Sequence, residues 1–361
     1  MATATMWHDV LGHDGVIDRF RQSLKHGRLA SSYLFLGPSG VGKRTFALRL
    51  AQALLCQATD PEELDFCGNC ESCRLMAAQN HPDLDFVALP EGKRRLPVEL
   101  FLGDRDHRNQ EGLCHNISMR PMMGRRRLAL IDDADHLTVE SSNCLLKTLE
   151  EPPPGAVLIL LATSRSRLLP TILSRSQVVR FQPLSTQVLE RLLVEQQIAA
   201  DAQQAGSLSP HCQGSLAVAR ELSDPDWWEL QQWLLPKLAP ACFDSISLTV
   251  RVNEFVNQAG KVADARRQRL RAVFQMVAAH FREVLRLACQ GDYHDQSLDS
   301  AAAQQATELG PFAQQSAIMI LDRCIEAEIQ LDRNANQATL LECWLDDLAG
   351  TLATTEPGAI V

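Results

Sequence analysis

No apolar run in this 361-residue sequence approaches the ~20 residues that a bilayer-spanning helix needs; the longest covers residues 156–162. The first ten residues lack the basic region followed by an apolar stretch that marks a secretory signal. The expected setting is therefore the cytoplasm, with no membrane. Basic charge is short as well. The 35 Lys and Arg stand against 44 Asp and Glu, a formal net charge of −9 and a pI near 5.6, which speaks against a dedicated nucleic-acid binder with a basic domain. No internal repeat or low-complexity tract interrupts the sequence before a tail of disordered character after Thr351. A disulfide framework is not expected either, because the eleven cysteines are an odd number and no secretory signal is visible in the sequence. Seven of them (Cys114, Cys144, Cys212, Cys242, Cys289, Cys324 and Cys343) are scattered, mostly in apolar surroundings, and read as small core residues.

What is present is an ordinary globular composition, 45% hydrophobic and 22% charged. At roughly 150 residues per domain the length predicts two or three domains. Short apolar runs at 32–36, 128–131 and 156–162 alternate with helical patterns at 43–55 and 138–151, the latter stopped by Pro152-Pro153-Pro154. Purely apolar strands separated by helices predict a parallel sheet covered on both faces. After Pro183 the strand signal ends. Residues 184–222 read as short helices with a break near 206–210, and 224–352 as helical almost throughout. Two long amphipathic stretches there, 266–290 and 313–330, flank the polar segment 291–300. Charge is uneven: from Glu91 to Arg127 nine Lys and Arg face five Asp and Glu, either a local basic strip or a solvated loop face.

Gly37-Pro38-Ser39-Gly40-Val41-Gly42-Lys43 follows a strand and opens a helix, the setting of a phosphate-binding loop. Gly37, Gly40 and Gly42 let backbone N–H groups converge on an anion at a helix N-terminus, and Lys43 stands beside the terminal phosphates. The next position should carry a hydroxyl that ligates Mg²⁺, yet Arg44 occupies it and the hydroxyl comes one place late, at Thr45. One residue rotates a helical side chain by about 100°, so Thr45 points away from the metal, and a guanidinium has no lone pair to offer a cation. Residues 128–133 resemble the second half of such a site, Asp132 orienting the metal's water shell and Asp133, one methylene shorter than the usual Glu, beside it; an acidic helix start is the plainer alternative. Thr163, ending the third strand, stands where a γ-phosphate sensor sits, or simply caps the strand.

Cys56, Cys67, Cys70 and Cys73, spaced C-x10-C-x2-C-x2-C, offer four thiolates to a tetrahedral ion, and structural Zn²⁺ is the expected occupant. An iron–sulfur cluster would want a further Cys-Pro downstream, which is missing.

These elements in this order resemble the clamp-loader branch of the AAA+ proteins. The resemblance rests on the phosphate loop, the four-cysteine insert, His81-Pro82-Asp83, the run from Asn143 to Pro153 (NCLLKTLEEPP), Thr163, residues 169–173 (LPTIL) and Ser174-Arg175, and it covers about residues 7–183. It implies a RecA-like AAA+ domain at 1–183 with the zinc-binding insert at 56–73, a small helical lid at 184–223, an all-α collar for oligomerisation at 224–352 and a tail at 353–361. Motor subunits of the family (tau/gamma) keep Ser or Thr after the lysine, Glu after the strand-end Asp and an Arg in a Gly-Ser-x-Arg helix; here those places hold Arg44, Asp133 and Ala217. All three losses fall on the chain's own ATP site, leaving ATP and Mg²⁺ without a complete site. Ser174-Arg175, which in this family reaches a neighbour's ATP, is intact. The implied function is a non-hydrolysing subunit of the replicative DNA polymerase's clamp loader, Arg175 acting in trans as an arginine finger. Its implied partners are tau/gamma and delta subunits in a hetero-pentamer, with the sliding clamp and primed DNA reached through the complex. Two alternatives are an active tau/gamma-type ATPase and a zinc-dependent nucleic-acid-binding module.

Overall fold

The computed structural model describes residues 7–353 apart from 61, 91, 105, 109, 224, 261–262, 291–300 and 334. It divides into two compact units, Met1–Leu222 and Ser223–Val361.

The first unit is built on a fully parallel sheet of β1 (Ser32–Leu36), β2 (Leu84–Val87), β3 (Arg127–Ile131), β4 (Ala156–Ala162) and β5 (Gln177–Arg180), in the order β2-β3-β4-β1-β5. β3 and β4 are buried along their whole length, as expected of strands covered on both faces. Alternation sorts their side chains. Tyr33, Phe35, Leu130 and Ile159 pack on one side with Phe20, Phe46 and Phe181. Leu34, Ala129, Ile131 and Leu160 pack on the other with Phe101, Leu145 and Ile172. The edge strands β2 and β5 were not legible as apolar runs: they are four residues each, with only Val87 and Val179 buried.

Helices α1 (Asp14–Lys25), α2 (Lys43–Leu55) and α3 (Glu71–Ala77) precede β2; the single turns α4 (Glu99–Leu102) and α5 (Leu113–Asn116) precede β3; α6 (Val139–Glu150) and α7 (Pro170–Arg175) flank β4. Thr138 caps α6 by accepting the Ser141 N–H at 3.0 Å, which fixes its start one residue inside the expected helix. Helices α8 (Thr186–Glu195), α9 (Ala202–Leu208) and α10 (Leu216–Leu222) belong to the same compact unit as the sheet. At the expected break, α9 tightens into a 3₁₀ turn at Ser209–Cys212.

The second unit holds α11 (Pro225–Leu234), α12 (Ser245–Asn257), α13 (Ala263–Gln290), α14 (Ala301–Leu309), α15 (Ala313–Asp332) and α16 (Gln337–Ala353). The Phe274 and Trp344 rings meet at 4.7 Å in its core. The polar segment 291–300 and the tail beyond 353 lie outside the described residues. One expectation fails for part of the cysteines. Cys212 and Cys324 are buried and Cys114 and Cys144 half-buried, but Cys242, Cys289 and Cys343 are exposed, because they fall on outward faces of helical turns. Among the described residues no helix is long and apolar enough to cross a membrane.

Candidate functional site

The phosphate loop leaves the carboxyl end of β1, Asp132 follows β3 and Thr163 follows β4, so the topology gathers them at one edge of the sheet. The loop is packed closely from behind. Gly40 has φ +71°, and a Cβ there would lie 2.4 Å from the Ala217 amide nitrogen and 2.6 Å from Ser215 Oγ. Ser215 Oγ donates to Ser39 O at 2.8 Å and Leu216 N to Gly40 O at 3.1 Å, so the start of α10 is fastened to the loop. Ala217 touches the loop with a methyl group and carries no charge towards it. The His13 ring sits beneath the loop, its Nε2 2.7 Å from Val41 O; the acceptor is a carbonyl, so Nε2 carries the proton. Lys43 donates to Gly37 O and Pro38 O, both at 2.7 Å. Burial lowers its pKa, while Asp135, Asp132 and Asp133 pull it back up.

Arg44 resolves what replaces the missing hydroxyl. Its Nη1 is 3.5 Å from Asp132 Oδ2, and its guanidinium lies over the Phe86 ring, 4.7 Å from the centroid. A cation of the chain itself thus faces the carboxylate expected to orient a metal's waters, with its own side chain 57% exposed. Burial raises the Asp132 carboxyl and the charge of Asp133 adds to this; the Asp133 N–H, Arg44 and Lys43 oppose it. Thr45 lines a cleft beside the loop itself, together with Val41, Gly42, Val10, His13 and Leu216. Asp133 is exposed, in the left-handed region at φ +54°.

Thr163 is tied to a buried carboxylate. Its N–H donates to Asp135 Oδ2 at 2.6 Å and its hydroxyl to the same oxygen at 2.5 Å. Asp135, 5% exposed, is the residue the sequence reading passed over. Its signal was its place three residues past a strand-end Asp, where it could pass for helix-start acidity.

Arg175 ends α7. Its Nη2 is 2.7 Å from Glu150 Oε1, and Nη1 donates to Thr171 O and Ser174 Oγ at 3.2 Å each. The pair is at the surface, with side-chain exposures of 34% and 50%. The next residue, Ser176, meets Ser32 Oγ at 3.1 Å, at the amino end of β1. Five strand positions, about 16 Å, then separate that level from Gly37, beyond the reach of an arginine side chain. Arg175 therefore cannot serve its own loop.

The four cysteines converge where α2 ends. All four sulfurs lie within 4.8 Å of one another, and Cys56 Sγ is 3.8, 3.9 and 3.7 Å from those of Cys67, Cys70 and Cys73. Tetrahedral Zn–S bonds of about 2.3 Å require sulfurs about 3.8 Å apart, so the set fits such an ion and offers it no open position. Backbone N–H groups of Cys67, Cys70 and Cys73 point at the sulfurs of Cys56, Cys67 and Cys70. Burial raises the Cys56 thiol, but hydrogen bonds from Thr59, Ala58 and Cys67 outweigh it and bring it to about 6; burial and its sulfur neighbours push Cys73 to about 12. His81 ties this module to α2 through Ser72: Nε2 meets Ser72 Oγ at 2.9 Å, and Ser72 Oγ donates to Leu55 O at 2.7 Å.

Residues 12–185 match the family described as DNA polymerase III, delta subunit. The chain is 32% identical over 204 residues to DNA polymerase III subunit delta' of Bacillus subtilis, covering 56% of this chain and 57% of the relative. It is 38% identical over 146 residues to the delta' subunit of Pseudomonas aeruginosa (40% and 41%), and 34% over 220 residues to the tau subunit of Escherichia coli (60% and 32%). The chain thus spans about half the length of the delta' relatives. Residues 12–185, just under half of the chain, are thus similar to the delta-prime and tau subunits of the DNA polymerase III clamp loader.

Proposed function

We propose that the chain is a delta-prime-type clamp-loader subunit whose own ATP site is degenerate and whose Arg175 completes the site of a neighbouring tau/gamma-type ATPase. The observation that carries this is the contrast between two arginines. Arg44 stands in the metal ligand's place within the chain's own site, 3.5 Å from Asp132, and Arg175 stands at the surface too far from its own loop to act there. A planar fork held by one carboxylate and one helix end keeps further N–H groups for a phosphate, and a terminal phosphate's greater charge competes well against a single exposed carboxylate. In this reading Arg175 stabilises the charge that develops on a partner's γ-phosphate. The four cysteines hold structural Zn²⁺, 184–223 serves as lid and 224–352 as collar in a hetero-pentamer with tau/gamma and delta. DNA and the sliding clamp are met as part of that complex. The motor reading is disfavoured because Arg44, not a hydroxyl, stands beside Asp132 in the place of the metal ligand.

Steady-state ATP hydrolysis tests the proposal. The isolated chain is expected to show no Mg²⁺-dependent turnover that Lys43→Ala removes, and adding it to tau/gamma and delta subunits is expected to raise theirs. Robust turnover by the chain alone would overturn the proposal in favour of a motor.

A further inference from the structure

The basic strip acquires a shape in the structure. From Gly112 to Ile131 the sequence carries Arg120, Arg125, Arg126 and Arg127 and no carboxylate, in a chain of net charge −9. Arg127 is buried and faces Asp85 at 3.4 Å and Asp83 at 3.9 Å. Arg126 is half-buried. Arg120 and Arg125 are exposed, and neither makes an ion pair or side-chain hydrogen bond among the described residues. Between and beside them stand two thioethers in water, Met119 at 52% and Met122 at 76% exposed.

This surface is held rather than loose. Asp83, fully buried, accepts three consecutive backbone N–H groups, from Met122 at 2.6 Å, Met123 at 2.8 Å and Gly124 at 3.1 Å. Gln57, one residue past the first zinc-ligand cysteine, donates to Met123 O at 3.2 Å. His81, two residues before Asp83, fastens the same stretch to the cysteine helix. A merely solvated loop needs no fully buried carboxylate to keep its methionines out of the core. Methionine and arginine together are the residue types enriched at protein interfaces, and a thioether adapts to irregular apolar partners.

We infer that the loop 119–125 is a docking surface for a protein segment that presents carboxylates around an apolar anchor, an acidic amphipathic helix. Arg120 and Arg125 supply the charge complement, and Met119 and Met122 receive the anchor. A nucleic acid would engage the arginines through phosphate but would leave the methionines in water, so the protein partner accounts for more of the surface. The site lies at the amino end of β3, opposite the edge that carries the phosphate loop, and its occupation is independent of any role of Arg175.

The test uses the full chain and a fluorescein-labelled helical peptide with leucines on one face and glutamates on the other, read by anisotropy at low and high salt. Expected are saturable binding that weakens with salt, a loss of about tenfold or more in Arg120→Glu/Arg125→Glu, and a loss of roughly fivefold in Met122→Ser. Unchanged thermal unfolding of these surface variants shows that they fold. Three outcomes overturn the inference: no binding, equal binding by the variants, or equal binding of a peptide whose leucines are replaced by serine. A short DNA duplex that binds more tightly than the peptide and is lost in the arginine variant also overturns it, assigning the surface to nucleic acid.

Discussion

At the scale of single residues, the two arginines make separable predictions. Arg175→Ala, assembled with tau/gamma and delta subunits, is expected to lower ATP turnover by about 10³-fold, with Arg175→Lys recovering little of it because an ammonium lacks the planar fork. Turnover of the complex with each variant is the measurement, and an unchanged rate removes the role. Stability should hardly change, since the Glu150 pair is exposed and such pairs contribute about 0–1 kcal/mol. Gly40→Ala behaves oppositely. A Cβ there meets the Ala217 backbone at a left-handed φ, so thermal or urea unfolding should report a loss of roughly 1–3 kcal/mol. The sequence disclosed that Arg44 could not ligate a metal, but not that it reaches Asp132 and Phe86, because those residues come from other strands. The same limit hid Glu150 beside Arg175 and Asp135 beneath Thr163. Pairings of 25 and 28 residues' separation follow from the chain's path in space, not from local pattern.

At the scale of elements, the strands covered on both faces were legible because burial on two sides forces an unbroken apolar run, as in 156–162. β2 and β5 were not, since an edge strand exposes half its side chains and LDFV and QVVR carry charge or amide among the valines. The cysteine module was legible from spacing alone, for two CxxC steps bring sulfurs together whatever surrounds them. It has its own prediction. Removing metal with a strong chelator, or replacing Cys70 by Ser, is expected to lower the unfolding temperature of the chain, with Zn²⁺ restoring the chelated wild type and not the variant. Differential scanning with metal analysis checks it; an unchanged unfolding temperature and no bound zinc would dismiss the ion. The module's helix also reaches Leu55 through Ser72 and His81, so its loss should propagate to the helix behind the phosphate loop.

For the whole molecule, three buried histidines contribute to the response to acid. Burial lowers His13, His81 and His280 below the usual imidazole value. In the second unit, Gln305 Nε2 donates to Leu238 O, so Gln305 Oε1 is left to accept from His280 Nε2–H, a neutral tautomer. Unfolded histidines take up protons near pH 6.5 while these native ones refuse them. The unfolded state then binds more protons, and stability falls as pH drops from about 7 through that region. Asp85 and Asp132, raised by burial, act with the opposite sign, so the measured slope is the net of the two sets of groups. Urea unfolding through that region measures it, and His280→Gln should flatten part of the slope.

The contact between Arg44 and Asp132 also bears on how the chain meets its surroundings. A counter-charge that is covalently part of the polypeptide cannot be diluted or chelated: Arg44 stays within 3.5 Å of Asp132's carboxylate by chain connectivity rather than by the strength of the pair.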